Sequence, residues 1–375
     1  MKHLTFTALL MAASLAAAVS CARPGAKTSA PALTPAQQLA ARLDSVSDAG
    51  KTLFGHHDDP VYGHAWKYED GRSDVRETVG DYPAVMSWDL GMLEMGDTAN
   101  LDGVPFSLMA REAVAQAAAG GVNTFSWHPR NPVTGGDSWD CSDSTVVAKI
   151  LSDTVVGARY DEWCASLATF FNSLTDSAGV RVPVIFRPWH EHTGSWFWWG
   201  RKFCTPEQYI RLWTRMRGIF DREGVDNVLW AYSPDRVATL EDYMERYPGD
   251  EYVDIMGTDI YHFNGEEGLD EFRNVLTTSL AVASQAAAGH SKLLALTETG
   301  SEGIPMDHWW TAVLLPLIRP FGPAYVVVWR NAHDKPGHFF APFPGHASAS
   351  DFKTFTSDST ILLRNEFAKY VFTEN

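Results

Sequence analysis

Cysteine is scarce. The 375-residue chain holds four, and none stands in a CxxC pair or a Cys/His cluster with zinc-site spacing, so no zinc site of that pattern and no disulfide-stapled scaffold is expected. Positive charge is also in short supply: 30 Lys and Arg stand against 46 Asp and Glu, a net charge of −16. Phosphate backbones and anionic membrane surfaces are bound by neutralising them with Lys and Arg, so neither nucleic acid nor an acidic bilayer fits as a partner. No glycine-rich phosphate loop follows the first strand-like run; Gly55-His56-His57-Asp58-Asp59 stands there instead. No cofactor motif and no catalytic metal are therefore expected. No internal repeat appears, and nothing marks an oligomer interface, so a monomer is expected.

Long apolar runs are lacking except at the start. Lys2 precedes an apolar stretch from Leu4 to Val19, closed by small residues and Ser20-Cys21. A membrane span wants roughly 20 residues, so this shorter run reads as a secretory signal. The expected organisation is a signal peptide over 1–20, an Ala/Pro/Ser/Thr-rich tether over 21–40 and one domain over 41–375. Cys21 stands where a bacterial lipoprotein carries its lipid anchor, although Ala18 occupies the position where Leu is usual. The expected location is periplasmic or outer-membrane-anchored; cleavage near an Ala-x-Ala site with plain secretion is the alternative. Cys164 lies in a helical apolar pattern and reads as core. Cys141 and Cys204 lie in loop-like segments, and an exported chain could join them.

Aromatic residues are abundant, with 14 Trp in a chain that is 45% hydrophobic. Trp is a demanding core residue because its indole N–H needs a partner when buried. Many Trp beside a negative net charge point to a platform for a flat neutral ligand such as a sugar ring.

Eight short β-rich runs recur with helical patterns between them. They are Thr52–His56, Ala84–Trp88, Val122–Trp127, Val182–Arg187, Asn227–Ala231, Val253–Ile260, Lys292–Leu296 and Ala324–Trp329. Several are near-continuously apolar, as strands covered on both faces are. Eight such units predict a single (β/α)8 TIM barrel with its site at the C-terminal ends of the strands. Only the connection over about 60–83 lacks a clear long helix. The residues at the end of each run suit a site. The exits carry His56, His57 and Asp58; Trp88 and Asp89; Trp127, His128 and Arg130; Arg187, Trp189, His190 and Glu191; Tyr232, Ser233 and Asp235; Asp259, Tyr261 and His262; Glu298 and Thr299; Trp329, Arg330 and Asn331.

Two carboxylates stand out. Glu191 follows Val184-Ile185-Phe186-Arg187-Pro188-Trp189-His190 and sits among Trp189, Trp196, Trp198 and Trp199, where apolar walls would raise its proton affinity. Glu298 closes an apolar run. A retaining glycosidase needs an acid for the leaving oxygen and a carboxylate nucleophile about 5–5.5 Å away. The alternatives are a rim ion pair of Glu191 with Arg187 or Arg201, and a helix-start charge for Glu298.

The stretch Arg187-Pro188-Trp189-His190-Glu191-His192-Thr193-Gly194-Ser195-Trp196-Phe197-Trp198-Trp199-Gly200 closely resembles the acid/base motif of glycoside hydrolase family 26, and Thr297-Glu298-Thr299-Gly300 resembles its nucleophile motif. Gly55-His56-His57-Asp58-Asp59, Ser126-Trp127-His128-Pro129 and Val328-Trp329-Arg330-Asn331 support the likeness over about residues 45–372. The resemblance implies a retaining β-1,4-mannanase acting on mannan, galactomannan or glucomannan, either within the chain or by releasing mannobiose. It implies Glu191 as acid/base and Glu298 as nucleophile. His128, His190, Trp196, Tyr261, Trp329 and Arg330, and with them Asp259, would bind substrate; Trp196 and Trp329 would wall the sugar and Tyr261 would orient the nucleophile. A lipoprotein leader on such a hydrolase resembles the mannan-degrading systems of Bacteroidetes.

Rival readings are the same chemistry on mixed-linkage glucan or β-1,3-xylan, a non-catalytic mannan-binding lipoprotein, and a metal-dependent hydrolase using His56 or His57 with His128 and His190. The two adjacent histidines of an extended strand point to opposite sides, which disfavours the last. Tyr62, Trp66 and Trp139 either build distal subsites or pack their loops, and Trp163, Trp213, Trp309 and Trp310 read as core.

Overall fold

A computed structural model describes residues 33–372; the signal peptide over 1–20, Cys21 and most of the expected tether lie outside them. Eight strands form the barrel: β1 Thr52–His57, β2 Val85–Asp89, β3 Val122–Ser126, β4 Val184–Arg187, β5 Val228–Tyr232, β6 Ile255–His262, β7 Leu293–Ser301 and β8 Tyr325–Val328. Each pairs in parallel with the next, and β8 closes on β1 through Leu53↔Tyr325 to His56↔Val328. All eight expected runs are strands, shifted at their ends by a few residues. A parallel barrel under helices buries both faces of each strand, which is why the runs read as continuously apolar.

Helices cover the outside, including Phe106–Ala118, Thr154–Ser173, Pro206–Arg222, Leu240–Met244 and Gly265–His290. Between β7 and β8 the helical segment begins as a π turn at Trp310–Leu314 before Leu315–Ile318. Two helices follow β8, Ala349–Thr356 and Arg364–Phe372, split by Ile361–Leu362, which pairs on the start of β1. The 60–83 connection holds a two-residue hairpin and the short helix Asp74–Val79. Among the described residues no helix is long and apolar enough to cross a membrane.

One helix begins inside the segment assigned to tether. The helix Pro35–Asp48 starts on a capping box of Thr34 and Gln37 with Pro at its first turn. Its Leu39, Leu43 and Val46 pack against the N-terminal ends of the strands, with Leu53, Val85, Ile185, Leu229 and Ile255. It seals the barrel floor and leaves the opposite mouth for chemistry.

The three remaining cysteines are all unbridged. Cys204 is buried with its thiol toward the Trp199 carbonyl at 3.2 Å, and Cys141 instead lies against the Trp196 carbonyl, so the expected Cys141–Cys204 disulfide is not formed. Cys164, Trp163, Trp213, Trp309 and Trp310 are core residues.

Candidate active site

Glu298 lies within β7 at a bulge. Thr258 of β6 pairs with Leu296 while the next residue, Asp259, pairs with Glu298, so Thr297 is the extra residue. The same offset recurs against β8, where Val326 pairs with Leu296 and Val328 with Thr299. A bulge re-aims the side chains around it. Here the Thr297 hydroxyl is anchored on Asp259 Oδ1 at 2.6 Å and on the Thr258 carbonyl at 3.0 Å. A Cβ on Gly257 would lie 2.6 Å from Thr297 Cγ2, so this crossing requires glycine.

The Glu298 carboxylate is buried, and Arg187 Nη2 donates to its Oε1. The Tyr261 hydroxyl donates to its Oε2 at 2.8 Å. Burial and the Glu298 charge push the Tyr261 phenol well up, so it stays a donor. Arg187 also donates to Asp259 Oδ2 at 2.8 Å, which accepts from Ser233 Oγ at 2.9 Å. The alternative pairing of Arg187 with Glu191 is thus not the one formed, and Arg201 pairs with Asp242 and Glu245.

Glu191 stands on strained backbone. Both Trp189 and Glu191 have φ of 53°, a left-handed conformation that costs non-glycine residues about 1–3 kcal/mol each. Backbone bonds hold them there: the Glu191 N–H donates to the Ser233 carbonyl at 2.8 Å, and Tyr209 OH donates to the Trp189 carbonyl at 2.9 Å. The Trp199 indole donates to the His190 carbonyl at 2.9 Å. The Glu191 side chain takes one bond, from Trp196 Nε1 at 2.7 Å. Trp196 is 39% exposed, and a Cβ on Gly194 would lie 2.3 Å from its ring. Burial raises the Glu191 carboxyl well above the ordinary range, the Glu298 charge adds to this, and the indole bond partly offsets it. The result is one carboxylate clamped by an arginine and a tyrosine, beside a carboxyl whose proton affinity is raised.

Beside this pair His128 and His190 meet, Nε2 to Nε2 at 3.1 Å. Asp89, which the sequence marks only as a strand exit, anchors them: its Oδ2 accepts from His128 Nδ1 at 2.6 Å and from Ser126 Oγ at 2.7 Å. Burial works against a charged His128, but Asp89 outweighs it and raises its pKa; burial and then Arg187 keep His190 well below the ordinary value. Trp139, 50% exposed, stacks over His128 at 5.3 Å and 12°, so it belongs to the site rim.

Trp329 stacks on His57 at 4.0 Å. The adjacent histidines part as expected: His57 Nδ1 meets Ser87 Oγ at 2.9 Å, whereas His56 Nδ1 meets Asp59 at 2.7 Å. Past Trp329, Arg330 pairs with Asp102 at 3.0 Å and donates to Tyr62 OH at 3.3 Å, and Tyr62 donates to Asp58 Oδ2 at 2.6 Å. Asp102 carried no signal in the sequence beyond an Asp-Gly turn. Ligand-type atoms of His57, Asp58 and Asp102 lie within 4.8 Å of one another. The guanidinium of Arg330 already balances charge there, and His128 and His190 do not join the group. Trp66 is buried with its indole on Asp74 at 2.7 Å, so it packs its loop.

The sequence profile described as glycosyl hydrolase family 26 matches residues 29–300. The chain belongs to that family. Among solved structures, the family 26 β-mannanase from Bacteroides ovatus is 46% identical and superimposes with a TM-score of 0.86, covering 89% of this chain and 97% of that one. A double mutant of the Cellulomonas fimi endo-β-1,4-mannanase is 31% identical with a TM-score of 0.79, covering 89% of this chain and 77% of that one. A mannan endo-1,4-β-mannosidase of Bifidobacterium adolescentis is 30% identical over 320 residues, 79% of this chain and 31% of that protein. The family 26 chain described here thus spans about a third of the length of that curated relative, and it spans 57% and 52% of two from Bacillus subtilis. The (β/α)8 barrel of those structures is the fold found here.

Proposed function

We propose that this chain is a retaining β-1,4-mannanase that hydrolyses mannan, galactomannan or glucomannan by double displacement. The observation that carries the reading is the unlike pair at the mouth: Glu298 clamped by donors from Arg187 and Tyr261, and Glu191 with a single donor and a carboxyl pKa raised by burial. In the first step Glu298 attacks the anomeric carbon while Glu191 gives its proton to the departing glycosidic oxygen. The C–O bond breaks and a glycosyl ester forms on Glu298. In the second step Glu191, now a base, takes a proton from water, the oxygen attacks the same carbon, and the ester to Glu298 breaks. His128, His190, Trp196, Tyr261, Trp329 and Arg330 line the sugar, and Asp259 acts through Arg187. The β-1,4-mannan substrate rests on the named activities of the relatives.

Release of short products has its own support. The loops after β8, β1 and β2 interlock: Arg330 reaches Asp102 and Tyr62, Asn331 Nδ2 meets Asp74 at 2.8 Å, and Tyr68 OH donates to the Gly103 carbonyl. A mouth walled at that end favours mannobiose from chain ends over random internal cuts. A time-resolved product profile on unsubstituted β-1,4-mannan, with Glu298→Ala as blank, tests both claims. Mannobiose from the first minute is expected. A ladder of mixed oligosaccharides would replace chain-end action with internal cutting, and no product would move the substrate to mixed-linkage glucan. The chain is further proposed to act as a monomer and to be exported as a lipoprotein anchored at Cys21, supported by the apolar run Leu4–Val19 before it. Cys21→Ala should then leave the membrane fraction; unchanged fractionation would overturn the anchor.

A further inference from the structure

Away from the wall the mouth opens. At the exits of β5 and β6 lies a recess of about 270 Å³ lined by Arg236, Tyr261, Phe263, Asn264, Glu271 and Val275, among others. A second recess of about 310 Å³ shares Arg236 and Val275 with it and runs on to Arg201 and Asp242. The first starts at Tyr261, whose hydroxyl is bonded to Glu298, so the track begins one side chain from the reacting carbon.

Phe263 is the feature that general packing does not explain. It is 61% exposed, and among residues 33–369 no other phenylalanine is exposed. Its position is built. Asn264 and Gly265 take φ of 64° and 52° in succession, and a Cβ on Gly268 would lie 1.9 Å from the Phe263 carbonyl, so this tight turn at the start of Gly265–His290 needs its glycine. Residues two apart at the end of a strand face the same side. The rings of Tyr261 and Phe263 accordingly lie 6.2 Å apart at 35°, while His262 between them turns inward against Phe272. Across the recess Arg236 pairs with Glu271 at 2.6 Å, which sets a donor and an acceptor beside the exposed ring. An aromatic face bordered by a charged donor and acceptor suits a pyranose, which offers C–H groups on its face and hydroxyls at its edge.

We propose that Phe263, with the Arg236–Glu271 pair, is a platform for the sugar units of the substrate that leave the cleft on the open side, beyond Tyr261. It gives the enzyme a preference for longer chains. This inference rests on the function proposed above and deepens it.

The test is chain-length dependence. In Phe263→Ala the ratio of kcat/KM on mannohexaose to kcat/KM on mannotriose should fall about tenfold, equivalent to about 1.4 kcal/mol, mostly through KM. Phe263→Trp should restore the ratio. An unchanged ratio, or a ratio that Phe263→Trp fails to restore, would overturn the platform. If the unsubstituted enzyme cleaves neither oligosaccharide, the proposed function fails separately. The platform is then judged by calorimetric binding of mannohexaose to Glu298→Ala with and without Phe263→Ala, where equal affinity overturns it and about tenfold weaker binding supports it.

Discussion

Glu298 receives directed donors from Arg187 and Tyr261, whereas Glu191 receives one, from a half-exposed indole. The contrast extends outward. Arg187 is held by Asp259, and Asp259 by Ser233 and Thr297, so the β7 side is a closed network anchored on a bulge. On the β4 side the backbone itself is strained, at Trp189 and Glu191, and the carboxyl has few partners. A nucleophile has to stay charged and still, which fixed donors achieve. An acid has to hold a proton and release it, which burial without many donors achieves. One barrel mouth thus gives two glutamates opposite surroundings, one rich in fixed donors and one poor in them.

The largest effect expected from breaking this contrast is at Glu298. Glu298→Ala should cost on the order of 10⁴- to 10⁶-fold in kcat on mannan, as loss of a nucleophile does, with far-UV circular dichroism unchanged. Surviving activity would falsify the role. Next is Arg187→Met, which leaves Asp259 and Glu298 buried without their cation. Breaking a buried pair this way costs about 3–5 kcal/mol, read as a lower urea midpoint. Glu191→Gln, by contrast, should stay within about 0.5 kcal/mol because no network depends on it. Equal stability of the two variants would mean that the β7 network does not hold Glu298. Glu191→Ala should lose about 10²- to 10⁴-fold on mannan, and far less on an aryl glycoside with a good leaving group. Equal losses on both substrates would remove Glu191 from proton transfer to the leaving oxygen.

Most of the barrel was legible because each strand is a short apolar run closed by polar or aromatic residues, and the two carboxylates proposed for catalysis stand at two of those closures. Three things were not. The bulge at Thr297 depends on the register of both neighbouring strands, which local sequence does not encode. The left-handed backbone at Trp189 and Glu191 violates the usual preference of bulky residues, so propensity argues against it. The choice of Glu298 rather than Glu191 as partner for Arg187 follows from side-chain reach across the barrel. The floor helix was a different kind of miss. Thr34-Pro35-Ala36-Gln37 is a readable capping box with Pro at the first turn, but the Ala-rich composition merged it with the tether.

The smallest expected effect sharpens the comparison most, because it moves one hydrogen bond. Trp196→Phe keeps a ring in place and removes the N–H that favours the charged form of Glu191. Burial and then the Glu298 charge already lift the Glu191 carboxyl; without the indole it rises further. Glu191 must be protonated to act as an acid, so the rate falls as pH rises through its pKa. The alkaline limb of kcat against pH should therefore move to higher pH in Trp196→Phe. A limb that moves to lower pH would reverse the sign of the indole's influence. A uniform loss at every pH would make Trp196 a sugar wall only and leave the proton affinity of Glu191 to burial and the opposing carboxylate.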